Sequence, residues 1–414
     1  MKRKKRFILL GAMVVSLLAA CGEKTEQAQS QQTQAEEVDW NWVSEQTEYE
    51  GFTQEEIEEK AVGWEALFSG YDAALQDTYE NFRLPESVTI SPTAIYKQVE
   101  IVQESGFTEN AEEILRMFLG DELSETLEFS DYSEMREQAT LVVDSDEAKV
   151  YCAVKDYGFV SVIKPSGYEI RFNGNFEVVD IVHVDRGEPL SQSYALLDGE
   201  ESIQEAVTYI EEWMNQNWVV WEPDFTYRVK TVEVRRYGDN YIYDFDVEKL
   251  LGGIPLDDSF GATGLAVVHG YLEEKYIGSS IFIRMCNRNS IDVFSTGTGI
   301  LRVQSTEEAE DGWLSLSDCT HMLEQLFSEY VVYEISDIEM QYVLCPDYDS
   351  ARELESYSAS SFPGLRVLAK PVWCFVMDVP EEKLLNEDGS FTAGYQKHYI
   401  DVDMRTGEVW LELE

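Results

Sequence analysis

The sequence contains little of the side-chain chemistry on which most catalytic and metal sites depend. Its 414 residues include only four histidines, and none stands in a metal-binding spacing such as His-Glu-x-x-His. The Gly-x-Ser-x-Gly motif and the phosphate-binding loop are also absent. We therefore predict that the chain is not an enzyme and has no catalytic residues, cofactor or metal ligands.

Basic residues are scarce relative to acidic ones. The chain has 31 Lys and Arg against 80 Asp and Glu, which gives a formal charge of −49. Nucleic acids and anionic lipid headgroups repel such a body, so we predict no nucleic-acid partner. The charge is typical of a solvated acidic surface, and the alternative interpretation is a preference for cations or for a basic partner.

Cysteines are few and widely spaced. Beyond Cys21 there are five, with no Cys-x-x-Cys pair, so neither a zinc knuckle nor a redox motif is indicated. Their odd number argues against a complete disulfide framework. Cys345 and Cys374 lie on strand-like runs of one predicted module and form a candidate disulfide; buried free thiols are the alternative.

The amino terminus has the layout of an export signal. Five basic residues within positions 2–6 precede an apolar run from Phe7 to Leu18, which is too short to be a membrane span. The run ends in Leu18-Ala19-Ala20-Cys21, which resembles the lipobox of bacterial lipoproteins. The alternative is an ordinary signal peptide followed by a coincidental cysteine.

The lipobox resemblance implies a location. In that family the signal peptide, here residues 1–20, is removed, and the sulfur of the new terminal residue, Cys21, carries diacylglycerol. Residues 21–52 then form a lipidated cysteine and a flexible tether, since Gly22 to Glu37 contain no large apolar residue. We expect the mature chain, of formal charge −54, to be anchored on the outer face of the cell membrane of a Gram-positive bacterium.

Residues 53–200 are predicted to form an N-terminal α+β domain. Apolar residues at helical spacing predict one helix from Thr53 to Phe82 and further helices after Ser91 and Thr108. From Ala139 to Val184, strand-length apolar runs separated by turn residues predict an antiparallel meander. Helices followed by strands indicate the α+β class.

Residues 201–300 and 313–414 are predicted to be two related modules, each a helix followed by an antiparallel sheet. Ser202 and Glu205 form a capping box that begins the first helix, and the second begins near Ser317. Both modules contain the word Glu-Lys-Leu-Leu, at 248–251 and at 382–385, which favours an internal duplication over coincidence.

The second module resembles the PepSY-like and YycH/YycI-type extracytoplasmic modules of Gram-positive bacteria. The likeness is carried by Lys370-Pro371-Val372-Trp373-Cys374-Phe375 and by the closing run from Tyr399 to Val409. It covers roughly residues 317–411 and, more weakly, 202–295. The resemblance implies non-catalytic modulation or binding outside the cell. Because YycH/YycI-type proteins are held by a transmembrane helix, it does not identify the partner.

Two other residue classes raise alternatives. Short acidic clusters favour solvated turns over a calcium site, because none continues as an EF-hand loop. Tryptophans at regular spacing are more typical of a core than of a sugar-stacking surface. The acidic clusters are Asp144–Asp146, Asp257–Asp258, Asp347–Asp349 and Asp401–Asp403, and the tryptophans are Trp213, Trp218, Trp221, Trp373 and Trp410.

These observations favour a surface lipoprotein that regulates or scaffolds through contact with an envelope protein partner. One alternative is a lipoprotein that binds a cation, peptide or glycan. An envelope hydrolase is a third reading, which requires a pocket whose carboxylates have strongly perturbed pKa values.

Replacing Cys21 with Ser should release the protein from the membrane without unfolding it. The lipid on the Cys21 sulfur is the expected attachment, and several acyl chains hold far better than one. Cell fractionation of Cys21→Ser checks this, with the parent chain as control. A variant that stays in the membrane fraction would contradict the lipobox.

Overall fold

The computed structural model describes most of the chain beyond residue 52. The described residues are 53–63, 66–67, 74–85, 94–103, 110–124, 139–142, 151–155, 160–164, 166–167, 170, 176–256, 265–268, 271–274, 281–296, 300–308, 311–326, 332–346, 366–380, 384–385, 391–392 and 395–413.

This part of the chain contains four α-helices with described bounds and a short 3-10 helix, and residues 66–67, 74–75 and 166–167 are also helical. The helices are α1 Gln54–Lys60, α2 Ala111–Ser124, α3 Ile203–Gln216 and α4 Leu316–Leu326, and the 3-10 helix is Trp218–Val220. None of these helices combines the length and the apolar character that crossing a bilayer requires.

The same residues form 23 strands. In chain order they are β1 Phe82–Arg83, β2 Tyr96–Gln103, β3 Ala139–Val142, β4 Tyr151–Lys155, β5 Val160–Ile163, β6 Glu177–His183, β7 Ser193–Ala195, β8 Glu200–Ser202, β9 Thr226–Tyr237, β10 Asn240–Leu251, β11 Ile254–Pro255, β12 Leu265–Val268, β13 Tyr271–Glu274, β14 Ile281–Met285, β15 Val293–Thr296, β16 Leu301–Glu308, β17 Tyr333–Glu334, β18 Asp337–Pro346, β19 Arg366–Pro380, β20 Leu384–Leu385, β21 Phe391–Thr392, β22 Tyr395–Asp403 and β23 Val409–Leu413.

Two large antiparallel sheets contain most of the strands. The nine-stranded sheet has the order β3-β4-β5-β15-β14-β10-β9-β6, with β11 beside β10. The eight-stranded sheet has the order β13-β12-β23-β22-β19-β2-β16, with β18 beside β19. One hydrophobic cluster contains residues of both sheets, such as Val232 and Trp373. The α+β class is therefore confirmed.

The two sheets share a sequence of elements. Helix α3 is followed by β9, β10, β14 and β15, which are adjacent in that order in the nine-stranded sheet. Helix α4 is followed by β18, β19, β22 and β23, which are adjacent in that order in the eight-stranded sheet. Each half is thus a helix followed by a four-stranded antiparallel array.

The predicted domain boundaries do not separate the sheets. Strands β3, β4, β5 and β6, from the range 53–200, complete the nine-stranded sheet, whereas β2 from the same range pairs with β16 and β19. Strand β12, from the range 201–300, pairs with β23. Backbone hydrogen bonds between distant segments join the three predicted ranges, and no sequence pattern reports such pairings.

The predicted helix from Thr53 to Phe82 is wrong in extent. Helix α1 has the expected Thr53–Glu56 capping box but ends at Lys60, because Ala61 is extended. Val62 then exchanges backbone hydrogen bonds with Trp313, 2.9 and 3.1 Å long. Tertiary pairing thus interrupts the predicted helix, and residues 66–67 and 74–75 are helical again.

The stretch after Ser91 is also corrected, since it forms strand β2 instead of a helix. Val99 and Ile101, two residues apart, are fully buried between β16 and β19. The helices after Thr108 and at Ser202 are confirmed as α2 and α3. The meander is confirmed for β3-β4-β5, whereas β6 lies at the opposite edge of the sheet.

Strand β19 runs without interruption through Pro371. Its first part pairs with β2 as far as Ala369, and its later part pairs with β22 from Val372 onward. Pro371 lies where one neighbour gives way to the other. A residue without an N–H donor is tolerated there because no ladder bond from it is needed on that side.

The disulfide hypothesis is wrong. Cys345 lies opposite Leu368 on β19, whereas Cys374 lies six residues further along the same strand, opposite Glu339. Six strand residues span about 20 Å, and a disulfide needs Cα atoms within about 7 Å.

A buried carboxylate connects the two sheets. Glu222 Oε1 accepts hydrogen bonds from Lys249 Nζ at 2.6 Å and from the Leu301 backbone N at 2.8 Å. Its Oε2 accepts from Trp218 Nε1 at 3.0 Å and from the Tyr227 hydroxyl at 2.7 Å. Lys249 belongs to the nine-stranded sheet, and Leu301 begins β16 of the eight-stranded sheet. All five residues are buried.

Replacing Glu222 with Ala should reduce the free energy of unfolding by about 4 kcal/mol, because it removes the acceptor of four buried donors, one of them charged. Urea unfolding measures the loss. Glu212→Ala, on the exposed face of α3, is the matched control and should change stability by less than about 0.5 kcal/mol. A loss below about 1 kcal/mol for Glu222→Ala would contradict the structural role of this carboxylate.

Candidate functional site

Strand β6 is an edge strand with exposed apolar side chains. Among the described residues it pairs with β9 on one side only. Val178, Val179 and Ile181 are 45%, 38% and 52% exposed. These three are among seven large apolar side chains exposed in the described part of the chain, so exposed apolar surface concentrates on this strand.

The β ladder places the apolar residues of β6 beside a charged network on the same face of the sheet, which we call the outer face. Ile181 lies opposite Glu233 of β9, and Glu233 opposite Asp244 of β10. Asp244 in turn lies opposite Arg284 of β14. Because paired residues point to the same side of a sheet, these four side chains form one row.

Ion pairs connect this row. Arg284 binds both oxygens of the Asp244 carboxylate, with Nε–Oδ1 at 2.6 Å and Nη2–Oδ2 at 2.7 Å. Arg235 lies between Asp244, at 3.0 Å, and Glu233, at 2.7 Å. Two arginines and two acids alternate, so the network is neutral.

Aromatic rings cover the arginines. The Arg284 guanidinium carbon lies 5.0 Å from the ring centroid of Phe176 and 5.5 Å from that of Phe282. Arg235 lies 5.9 Å from the Phe176 centroid. These distances suit cation–π attraction, which holds both guanidinium groups against the sheet.

An acidic junction follows the end of β6. Arg186, three residues beyond the strand, lies 3.0 Å from Asp337 at the start of β18 in the other sheet. Asp185 and Glu339 also act on the Asp337 carboxylate, and both raise its pKa by repulsion. The neighbouring Arg228 is paired with Glu248 at 2.5 Å. The junction therefore has more carboxylates than guanidinium groups.

Asp337 is the most perturbed of these acids. Burial, followed by repulsion from Glu339, raises the pKa of its carboxyl group to about 6, against the attraction of Arg186. Burial therefore outweighs the attraction of Arg186 and favours the protonated form of this carboxyl group.

The geometry of the outer face suits binding rather than bond chemistry. Both oxygens of Asp244 are occupied by arginine, and the guanidinium groups are held by carboxylates and rings. What remains accessible is the apolar surface and the edge of β6, which has no second partner strand in the described part of the chain. Such an edge accepts an additional strand.

Several residues singled out from the sequence lie elsewhere. Cys21 and the acidic clusters at 144–146, 257–258 and 347–349 lie outside the described residues, as does the side chain of Trp410. Asp401 accepts a hydrogen bond from Gln341, and Asp403 accepts two from the backbone of the turn that follows it. In the described part, no group of three or more His, Cys, Asp or Glu residues is arranged to hold a metal ion.

The tryptophans follow the expected core pattern where they are described. Trp218 and Trp373 are fully buried, and Trp213 and Trp221 are half-buried. Trp218 packs on Phe294 with ring centroids 4.7 Å apart. Trp218 and Trp373 are therefore core residues and are not available for stacking on a sugar.

Sequence reasoning missed one motif, Ser161-x-x-Lys164, whose spacing is used by some serine hydrolases. Ser161 lies on strand β5, and Lys164 directly follows that strand, with its backbone N bonded to Asp292 O. Residues three apart on an extended chain point to opposite sides. The spacing therefore does not bring the two side chains together here.

Sequence reasoning also missed the role of β6. The apolar run of β6 predicted a strand, but no signal in that run distinguished an edge from an interior position. The acids at Glu177 and Asp180 were the available hint, since charges are typical of edge strands.

No protein-family model matches this chain, and a search of curated proteins likewise finds no match. Among solved structures, the chain is similar to the crystal structure of an uncharacterized protein from Eubacterium rectale. The TM-score is 0.52 at 15% sequence identity, over 83% of this chain and 98% of that one. At this identity the likeness shows the fold alone.

Replacing Asp337 with Asn should weaken the stabilisation that acidification produces. Because the folded-state pKa is raised to about 6, the folded state binds more protons than the unfolded state between pH 4 and 6, and this contribution falls as pH rises through 6. Between pH 7 and 5 it amounts to about 1 kcal/mol.

Urea unfolding at pH 5 and 7 measures the difference between the parent chain and Asp337→Asn, which keeps an oxygen for the Ile338 N–H. Glu334→Gln, at an exposed position on β17, is the control and should leave the pH dependence unchanged. An identical pH dependence in all three proteins would contradict the role given to Asp337.

Proposed function

We propose that this protein is a lipid-anchored, extracytoplasmic protein that acts without catalysis by binding another protein of the cell envelope. The anchor is the lipid expected on Cys21, and the expected location is the outer face of the cell membrane. The observation that carries the proposal is strand β6, which combines an open edge with exposed Val178, Val179 and Ile181. Apolar surface of this kind is typical of contact sites between proteins.

The network beside β6 supports binding over chemistry. Its charges neutralise one another, and the rings of Phe176 and Phe282 lie over Arg284. A side chain whose polar atoms are already paired is a poor acid, base or nucleophile. It does provide a rigid surface to which a partner can bind.

We also propose that the two halves are related modules of the PepSY-like kind. The support is the shared order of elements, in which a helix precedes four sequentially adjacent antiparallel strands. The word Glu-Lys-Leu-Leu occurs at the end of β10 and again at β20. Strands that pair across the predicted module boundaries, such as β12 with β23, then connect the two modules in one folded unit.

A photo-reactive amino acid at Ile181 should cross-link a discrete envelope protein in intact cells, because this position lies on the proposed contact strand. The full chain with Cys21 intact is expressed in its own bacterium, and adducts are resolved by gel and mass spectrometry. The matched control is Val332, which is 53% exposed against 52% for Ile181 but lies before β17. Equal adducts from both positions, or none from Ile181, would overturn the proposal.

A further inference from the structure

The backbone of β6 is oriented to accept another strand. The His183 N–H donates to Glu188 Oε2 at 2.7 Å, and its carbonyl accepts from the Glu188 N–H, so both groups face away from β9. Backbone groups alternate in direction along an antiparallel strand, so those of Ile181 face the open edge as well. Because Glu188 engages both backbone groups of His183, Ile181 is the position of this edge at which an added strand would pair.

A β-bulge limits the length of this edge. The register with β9 shifts between Val178 and Asp180, which leaves Val179 as the additional residue. Bulges interrupt continuous pairing and oppose unlimited sheet growth. The edge thus suits one short strand and disfavours an open-ended stack.

The charge around β6 indicates what kind of strand would bind. Residues 176–202, which include β6 and the segment after it, contain seven acids and one basic residue, Arg186. The adjacent strand β9 contains four basic residues and one acid, so the two segments together have a formal charge of −3. The junction adds the carboxylates of Asp337 and Glu339 from the other sheet, of which Asp337 is paired with Arg186 at 3.0 Å. Lysine or arginine side chains on an added strand would offset the remaining negative charge.

A second copy of the chain is a poor occupant of this edge. Each copy has a formal charge of −49, and pairing two β6 edges would bring both acidic segments together. Like charges at close range suppress such a contact. The negative charge that repels a second copy attracts a basic partner.

We propose that a basic, extended segment of another protein adds to the edge of β6 as a further strand, with apolar residues on Ile181 and Val178. This inference rests on the proposed function and names the partner's chemistry and its mode of binding. The backbone ladder supplies affinity, and the apolar and basic side chains supply selectivity.

Fluorescence anisotropy tests the inference, with the full chain in mild detergent and three labelled peptides of ten residues. The probes are an alternating Lys-Val peptide, an alternating Glu-Val peptide, and the Lys-Val peptide with alternate backbone nitrogens methylated. We expect the Lys-Val peptide to bind at least about tenfold tighter than either of the others. Equal binding by the methylated peptide would overturn strand addition, and equal binding by the acidic peptide would overturn the basic preference.

Ile181→Asp separates site-specific binding from general attraction to an acidic protein. The substitution adds negative charge, so general attraction predicts unchanged or tighter binding of the Lys-Val peptide. Strand addition at β6 predicts a loss of about tenfold, because the apolar contact is replaced by a charge. Val332→Asp, with the same change of charge, should bind as the parent chain does.

The outcomes also separate this inference from the proposed function. If Ile181 cross-links a protein in cells while the peptides show no preference, protein binding stands and the basic strand is wrong. If sedimentation shows a dimer that Ile181→Asp disrupts, the occupant is a second copy and the inference is overturned.

Discussion

The carboxylate of Glu222 is the interaction on which the joined architecture depends. A buried charge is tolerated only when its hydrogen-bonding capacity is filled, and here four donors fill it. Lys249 comes from one sheet and Leu301 begins a strand of the other, so satisfying the carboxylate fixes how the chain passes between them. The Glu222–Lys249 ion pair therefore fixes the relative position of these segments more specifically than apolar packing alone would.

The interleaving of the sheets has a consequence for the two helix-plus-sheet halves. Strands from the amino-terminal range complete both sheets, and β12 crosses from one half of the sequence to pair with β23 of the other. Most contacts that hold the sheets together are therefore distant in sequence. We expect the halves to unfold together, because neither keeps its full sheet without strands from elsewhere.

Strand β6 combines features that protect an edge with features that expose it. The bulge at Val179 and the acid Asp180 limit uncontrolled pairing, whereas Val178 and Ile181 remain exposed. The ion-pair network of Arg284, Asp244 and Arg235 holds the neighbouring surface rigid. Under the proposed function, an edge that is short, rigid and acidic would select among partners instead of accepting any strand.

The sequence by itself determined what depends on local order and composition: the acidic charge, the α+β class, helix α3 with its Ser202 cap, and most strands. The export signal and the lipid on Cys21 are predictions from the sequence. Periodicity and capping act over a few residues, so one sequence reveals them. Only the tertiary structure decided that residues 96–103 form a strand, that Val62 ends the first helical stretch on Trp313, and that β6 is an edge. These outcomes depend on hydrogen bonds between segments far apart in the chain, and local pattern has no access to such partners.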